Sequence, residues 1–322
     1  MAHRPETIAD VADVDLTGKH ALVTGSTSGI GSETALALGR LGADVMVHGR
    51  DAEAGENVVD ELTEMGRNST FIKADFASVG EVRALAASVR EWTDELDILH
   101  NNAGGLFREG RVTEIGVEYT FHINHLSPYL LTVELLSTLS DDARIITTSS
   151  GAHQGISLDF EAVRSVDSYS GFEAYQRSKL ANVQFAAELA RRLKRTDRSI
   201  TSNSFHPGAI PASGFGRFLP GPLPRLLSAL DLLPMTTSVA EGAATAVYLA
   251  ASPRVDGMSG RYFADRDAWS LFGGRTQSGN YGPREPSKAA RDRTTQRRLW
   301  MWSAELLNID EPLADDADDA DL

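Results

Sequence analysis

The sequence predicts an α/β chain built on a doubly wound, mainly parallel seven-stranded sheet with helices on both faces. Short apolar runs alternate with longer helix-period segments nearly from end to end, and a glycine-rich turn closes the first run and opens the first helix. No internal repeat breaks the pattern. "HALVT" (20–24), "DVMVH" (44–48), "STFIK" (69–73), "LDILH" (96–100), "ARIITTS" (143–149), "ITSNSF" (200–205) and "GRYFA" (260–264) read as strands. Helices are expected near 30–41, 52–65, 79–92, 113–139, 173–195 and 237–251, joined by right-handed crossovers. One domain over 1–322 is expected, with a core at about 15–265, a lid-like insertion at about 209–234, a C-terminal helix at about 286–308 and a frayed acidic tail at 310–322.

With 42% hydrophobic and 24% charged residues, 322 residues can bury a sizeable core. The net charge of -14 argues against nucleic acid, whose binding needs clustered Lys and Arg. Positive charge comes from 26 Arg and only 5 Lys, an acidic, Lys-poor balance that would suit a high-salt cytoplasm. Without cysteine there is no disulfide, thiolate metal site or cysteine nucleophile. The N-terminal stretch lacks an apolar signal region, and prolines, Arg225 and Asp231 cut the most apolar later stretch, 218–235. No transmembrane segment is expected, and the cytoplasm is the expected location. His122 and His125 have no further ligands at metal-binding spacing, so no metal is expected.

In "ALVTGSTSGIG", Gly25 permits a tight turn, Gly29 lets backbone approach a pyrophosphate, and Gly31 allows close packing at the start of the helix, whose N-terminus attracts phosphate. The second strand ends in Gly49 and Arg50; an arginine there can pair with a ribose 2′-phosphate, while Asp51 is placed to cap the next helix. Tyr175 and Lys179, four residues apart, share one helix face. Spacing alone leaves open whether they are a phenol with its cation or a solvated face.

Further motifs follow at successive strand ends: Asp75, "NNAG" (101–104), Asn124 in "INHLS", the Ser149–Ser150 pair, and "HPG" (206–208). This set, covering roughly 15–265 with TGxxxGxG glycine spacing, resembles the short-chain dehydrogenase/reductase family. "RIITTSSGAHQGISLDF", "AYQRSKLANVQFAAELARRL", "SGRYFADRDAW" and "RLWMWSAELLNI" look like its retinol-dehydrogenase-type branch.

The resemblance implies a Rossmann-type fold and a nicotinamide cofactor, with NADP(H) favoured over NAD(H) through Arg50. It places Gly25, Ser26, Ser28, Gly29, Ile30, Gly31, Arg50, Asp75, Phe76, Asn102, Ala103, Gly104, Tyr175, Lys179, Pro207, Gly208 and Ile210 at the cofactor. Tyr175 would be the general acid/base, and Lys179, with the charge of oxidised nicotinamide, would lower its pKa and hold ribose. Ser150, the second of its pair, would bond the substrate oxygen, and Asn124 would hold a water linking the lysine to solvent. The implied substrate is a lipophilic aldehyde, ketone or alcohol.

Relatives pair through the helices equivalent to 113–139 and 173–195, which implies a homodimer or homotetramer. Two departures stand out. No hydrophobic segment leads the chain, and Ala212 stands where relatives carry a Thr or Ser that contacts the carboxamide, with Ser213 the nearest substitute. A regulatory NADP(H)-binding protein without turnover, or a C=C reductase of the same family, are the alternatives.

Overall fold

The structure, a computed structural model, describes residues 4–208, 238–265 and 281–314. The expected lid, Ile210, Ala212, Ser213 and the tail beyond 314 lie outside the described residues. Eight strands form one sheet in the order β3-β2-β1-β4-β5-β6-β7-β8: β1 (His20–Val23), β2 (Asp44–Gly49), β3 (Thr70–Lys73), β4 (Leu96–Asn101), β5 (Leu139–Thr148), β6 (Thr201–His206), β7 (Tyr262–Asp265) and β8 (Tyr281–Arg284). The first seven pair in parallel, as expected of a doubly wound sheet. The count of seven is corrected by β8, which runs antiparallel to β7. Its sequence, "YGPR", contains Pro283, which a strand tolerates at the edge of a sheet.

Helices cover both faces. On one, α1 (Pro5–Ile8), α2 (Gly29–Arg40), α3 (Ala52–Glu64) and the helix Val239–Ala251 surround a core that includes Ala35, Leu38, Leu62 and Val247. On the other lie α4 (Val79–Trp92), the segment beginning at α5 (Tyr119–Phe121) and continuing through α6 (Ser127–Glu134), and α8 (Gly171–Leu193), the last preceded in sequence by the short α7 (Phe160–Arg164). The helix Val239–Ala251 is α9, and Arg293–Leu306 is α10. Strands β1 and β4 are buried almost throughout, as expected of central parallel strands. Their carboxyl ends diverge where the strand order reverses, the position at which such sheets open a crevice. Among the described residues no helix is long and apolar enough to cross a membrane.

Three local expectations are corrected. The helix expected over 113–139 starts at Tyr119, because Thr113–Gly116 form a turn and Glu118 caps the helix by accepting from the Thr120 and Phe121 amides. Folded structure also reaches beyond the expected core of 15–265. Glu6 pairs with Arg40 at 2.6 Å at the start of the chain, and β8 adds a strand after the expected core, while α10 is the expected C-terminal helix, over Arg293–Leu306. Finally, the tail is held through residue 313. Arg192 of α8 is fully buried, pairs with Glu188 and Glu311 at 2.7 Å each, and donates to the Leu313 carbonyl at 3.0 Å.

Helix α10 lies across the helices through which pairing is expected. Buried Trp300 stacks on Phe185 at 6.0 Å, meets Tyr129 edge-on at 4.9 Å and donates its indole N–H to Pro312. His125 reaches Ser303 at 3.1 Å, and the Tyr129 hydroxyl donates to the Trp300 carbonyl. The chain's own helix thus covers this face. Trp300→Ala is expected to cost about 3–5 kcal/mol by cavity formation. Met301→Ala, at a side chain 47% exposed, should cost less than about 0.5 kcal/mol. Equal urea midpoints for the two variants would refute this packing.

Candidate active site

The predicted residues gather at the carboxyl edge of the sheet. Asp51, Ser78, Ser170, Ser238 and Asp292 each close the N-terminus of α3, α4, α8, α9 or α10 with a side-chain oxygen. Among the described helices of ten or more residues, α2 is the exception: Ser28 occupies its N-cap position in an extended conformation and makes no side-chain cap bond. Backbone donors of the first turn therefore face the crevice without a side-chain acceptor, an arrangement suited to a phosphate. Gly31 sits so close to the turn that a Cβ would meet the Gly25 carbonyl and lie 2.6 Å from Asn102 Nδ2.

The glycine turn is tied to its neighbours by two side chains not among the predicted site residues, Thr24 and His48. Thr24 Oγ1 accepts from the Asn102 and Ala103 amides at 2.9 and 3.0 Å, while Asn102 Nδ2 donates to the Thr24 carbonyl at 2.9 Å. His48 Nδ1 accepts the Gly25 amide at 3.2 Å, so its proton is on Nε2, which donates to the Ala74 carbonyl. The imidazole stacks on Phe76 at 4.7 Å, and burial lowers its pKa to about 4. Its legible sign is a titratable side chain closing an otherwise apolar strand next to a glycine.

Asn124 lies in a π-helical turn, His122–Leu126, where the Ser127 amide reaches back five residues to the His122 carbonyl. Pro128, four residues after Asn124, has no N–H to offer the Asn124 carbonyl. The Asn124 side chain is engaged within the protein: Oδ1 accepts the Gly105 amide at 2.8 Å, and Nδ2 donates to the Gly105 carbonyl at 2.8 Å and to Ser178 Oγ at 2.9 Å. It joins the "NNAG" loop to α8. Gly104 (φ 158°) completes the junction, since a Cβ there would lie 2.7 Å from Asn124 Oδ1 and 3.7 Å from Lys179 Nζ.

Lys179 is buried on α8; its ammonium donates to the Thr148 carbonyl at 3.0 Å and lies 5.6 Å from the Tyr175 ring centroid. Burial lowers its pKa to about 8. The half-buried Tyr175 has its hydroxyl hydrogen-bonded to the Ser150 side chain, whose Oγ also accepts the Ala152 amide at 3.1 Å. Ser149 turns the other way and donates to the Lys179 carbonyl at 2.7 Å. The expected lowering of the tyrosine pKa is corrected for the chain on its own: desolvation raises it, and the Ser150 bond opposes this only in part.

Some predicted residues stand apart. Arg50 is exposed at the end of β2 and makes no hydrogen bond or ion pair among the described residues. Asp75 accepts the Ala77 amide at 3.0 Å, and Phe76 contributes its carbonyl to Ser127. Ser26 is turned inward, donating to Val23 and accepting the His48 amide, so its side chain supports the turn. Pro207 and Gly208 follow β6 at the same edge, and Ile30 is in the first turn of α2.

Residues 19–217 match the family model described as short chain dehydrogenase. Mouse retinol dehydrogenase 14 is 36% identical over 307 residues, covering 91% of this chain and 86% of that protein. Among solved structures, an uncharacterised protein from Mycobacterium paratuberculosis aligns with a TM-score of 0.73 at 28% identity, covering 94% of this chain and 98% of the other. A Burkholderia cenocepacia short chain dehydrogenase in complex with NADP aligns with a TM-score of 0.64 at 27% identity, over 77% and 96% of the two chains. With this fold and these motifs at its strand ends, the chain belongs to the short-chain dehydrogenase/reductase family and is an oxidoreductase of its retinol-dehydrogenase-like branch.

Proposed function

We propose that the protein is an NADP(H)-dependent oxidoreductase, acting in the cytoplasm, that interconverts a carbonyl and an alcohol on a lipophilic small molecule. The observation that carries this reading is the Tyr175–Ser150 hydrogen bond beside the buried Lys179, at the edge of the sheet where α2 presents its uncapped N-terminus. The cradle fits a dinucleotide. Gly25, Gly29, Ile30 and Gly31 offer backbone to phosphates, Ser26 and Ser28 shape the turn, and Asp75, Phe76 and Asn102–Gly104 line the adjoining strand ends. Pro207 and Gly208 lie on the nicotinamide side. The name of the mouse relative, retinol dehydrogenase 14, supports an apolar substrate, and the Burkholderia relative's complex with NADP supports that cofactor.

A bound reduced nicotinamide supplies hydride to the carbonyl carbon. Tyr175, kept neutral at pH 7 by its raised pKa, donates its proton to the carbonyl oxygen, while the Ser150 hydroxyl donates a hydrogen bond to that oxygen as charge develops. Lys179 stabilises the phenolate left behind, and Asn124 would hold a water through which the proton is replaced. In oxidation the same groups run in reverse. A homodimer or homotetramer would form through faces that α10 leaves open.

The test is a screen of NADPH and NADH oxidation over retinal, steroid ketones, quinones and aliphatic aldehydes. Turnover with an apolar carbonyl and NADPH is expected. Tight NADPH binding with no substrate consumed would leave the regulatory reading, and saturation of a C=C bond would give the other alternative. Arg50→Ala should raise the KM for NADPH about 10- to 100-fold, the worth of a charge-assisted bond, and leave that for NADH unchanged. An unchanged NADPH KM would remove Arg50 from the phosphate.

A further inference from the structure

His153 is fully buried on the short turn that follows Ser150, and both its ring nitrogens are engaged. Nδ1 donates to the Ser150 carbonyl at 2.7 Å, a carbonyl that also accepts the His153 backbone amide at 3.2 Å. Nε2 accepts the Ser287 amide at 3.2 Å, which fixes the proton on Nδ1. The ring packs edge-on against Tyr262 of β7 at 4.9 Å. His206 of β6 is close enough that a charge on His153 would disfavour one on His206. Burial also keeps His153 neutral, and an imidazolium would turn an N–H toward the Ser287 N–H.

The imidazole therefore joins two segments far apart in the chain. One is the turn that holds the Ser150 hydroxyl against Tyr175. The other is the stretch between β8 and α10, which lies beyond the 19–217 of the family match. Gln176, next to Tyr175 on α8, braces the same turn by donating to the Ala152 carbonyl at 3.1 Å. Without the imidazole, one donor to the Ser150 carbonyl is lost and the turn loses its attachment to the C-terminal segment.

We propose that His153 is a positioning residue: it sets the orientation of the Ser150 hydroxyl through its Nδ1 hydrogen bond to the Ser150 carbonyl, with the Ser287 amide fixing the tautomer that makes this bond. This rests on the reading of Ser150 as the group that bonds the substrate oxygen. A displacement of about 1 Å in such a group is enough to cost about a hundredfold in rate.

The experiment compares His153→Asn, His153→Gln and His153→Leu with Ser150→Ala and the double variant Ser150→Ala/His153→Leu. Activity is measured on the best carbonyl from the screen, and NADPH affinity by fluorescence. Asparagine can place its amide N–H near the Nδ1 position, whereas glutamine matches the ring better in length but places its amide near Nε2. His153→Asn is expected to keep kcat within about threefold. His153→Gln and His153→Leu should lower kcat about 10- to 100-fold with NADPH affinity unchanged. Adding His153→Leu to Ser150→Ala should cost nothing further.

Equal losses in Asn and Gln, an undiminished His153→Leu loss in the Ser150→Ala background, or full kcat in His153→Gln would overturn the proposal. If Ser150→Ala alone kept full activity, the reading of Ser150 itself would fall, a result distinct from these. Should His153→Leu not fold, the Asn and Gln pair decides.

Discussion

Phenylalanine at position 175 should lower turnover of the best carbonyl from the screen by about 10²- to 10⁴-fold, the usual worth of a positioned general acid and far more than any change in NADPH affinity. The substitution removes one oxygen from a half-buried ring, so little packing changes. It deprives Ser150 Oγ of one partner but leaves the Ala152 amide. Both kcat and kcat/KM should fall together, because the proton is needed at the reacting oxygen in the transition state.

The pH profile provides a second reading. Burial raises the Tyr175 pKa and lowers that of Lys179 to about 8, so in the chain on its own both groups are in the form reduction needs, neutral phenol and ammonium, at and below neutrality. Reduction should weaken as pH rises through 8 and Lys179 loses its charge. Full turnover by Tyr175→Phe would dismiss the tyrosine from the chemistry.

Between pH 7.5 and 5.5 the protein should lose several kcal/mol of stability, a large part of the 5–15 kcal/mol typical of a folded domain. Five buried histidines are responsible. Burial holds His48, His122 and His206 at about 4 and His100 and His125 at about 3, against an ordinary 6.5. In the unfolded chain these groups take up protons as pH falls through 6.5, whereas in the folded protein they stay neutral until near 4 or 3. Over that window the unfolded state binds more protons, so acid favours it by up to about 1.4 kcal/mol per histidine per pH unit. The penalty is absent well above pH 6.5 and complete near pH 3.

An ordinary carboxyl group titrates at about 4, below this window, so the histidines dominate the fall. Urea midpoints measured across this range should fall steeply. His122→Leu should flatten the fall by one histidine's share, because neither nitrogen of His122 has a hydrogen-bond partner in the structure to lose. A flat profile would mean that these imidazoles already titrate near 6.5 in the folded state.

The features legible in the sequence are those whose chemistry is local. TGxxxGxG is a turn followed at once by a helix, and Tyr175 and Lys179 share one face of one helix; both follow from spacing and were expected before the fold was seen. The choice of Ser150 over Ser149 needed the family, and the side chains do turn to opposite sides. What could not be read depends on residues far apart in the chain. Arg192 looks like an ordinary helix-ending cation until Glu311 and Leu313 come back to it. β8 pairs only because β7 is already at the edge, and its glycine and proline disguise it. His48 reads as the end of an apolar strand because its partners, the Gly25 amide and the Ala74 carbonyl, belong to two other segments. The π turn around Asn124 is an intermediate case, since Pro128 is visible but its effect on the helix is not. The direction of the Tyr175 shift was misread because spacing shows the nearby cation and hides the desolvation.

The clamp on Arg192 has a consequence for synthesis. The carbonyls of Pro312 and Leu313 are made 120 and 121 residues after Arg192, with Glu311 beside them, yet they complete the surroundings of a guanidinium on the helix that carries Tyr175. A nascent chain that stops short of them holds that charge against Glu188 alone. The helix bearing Tyr175 can therefore reach its final packing only once the segment beyond α10 has been made, so this part of the fold closes late.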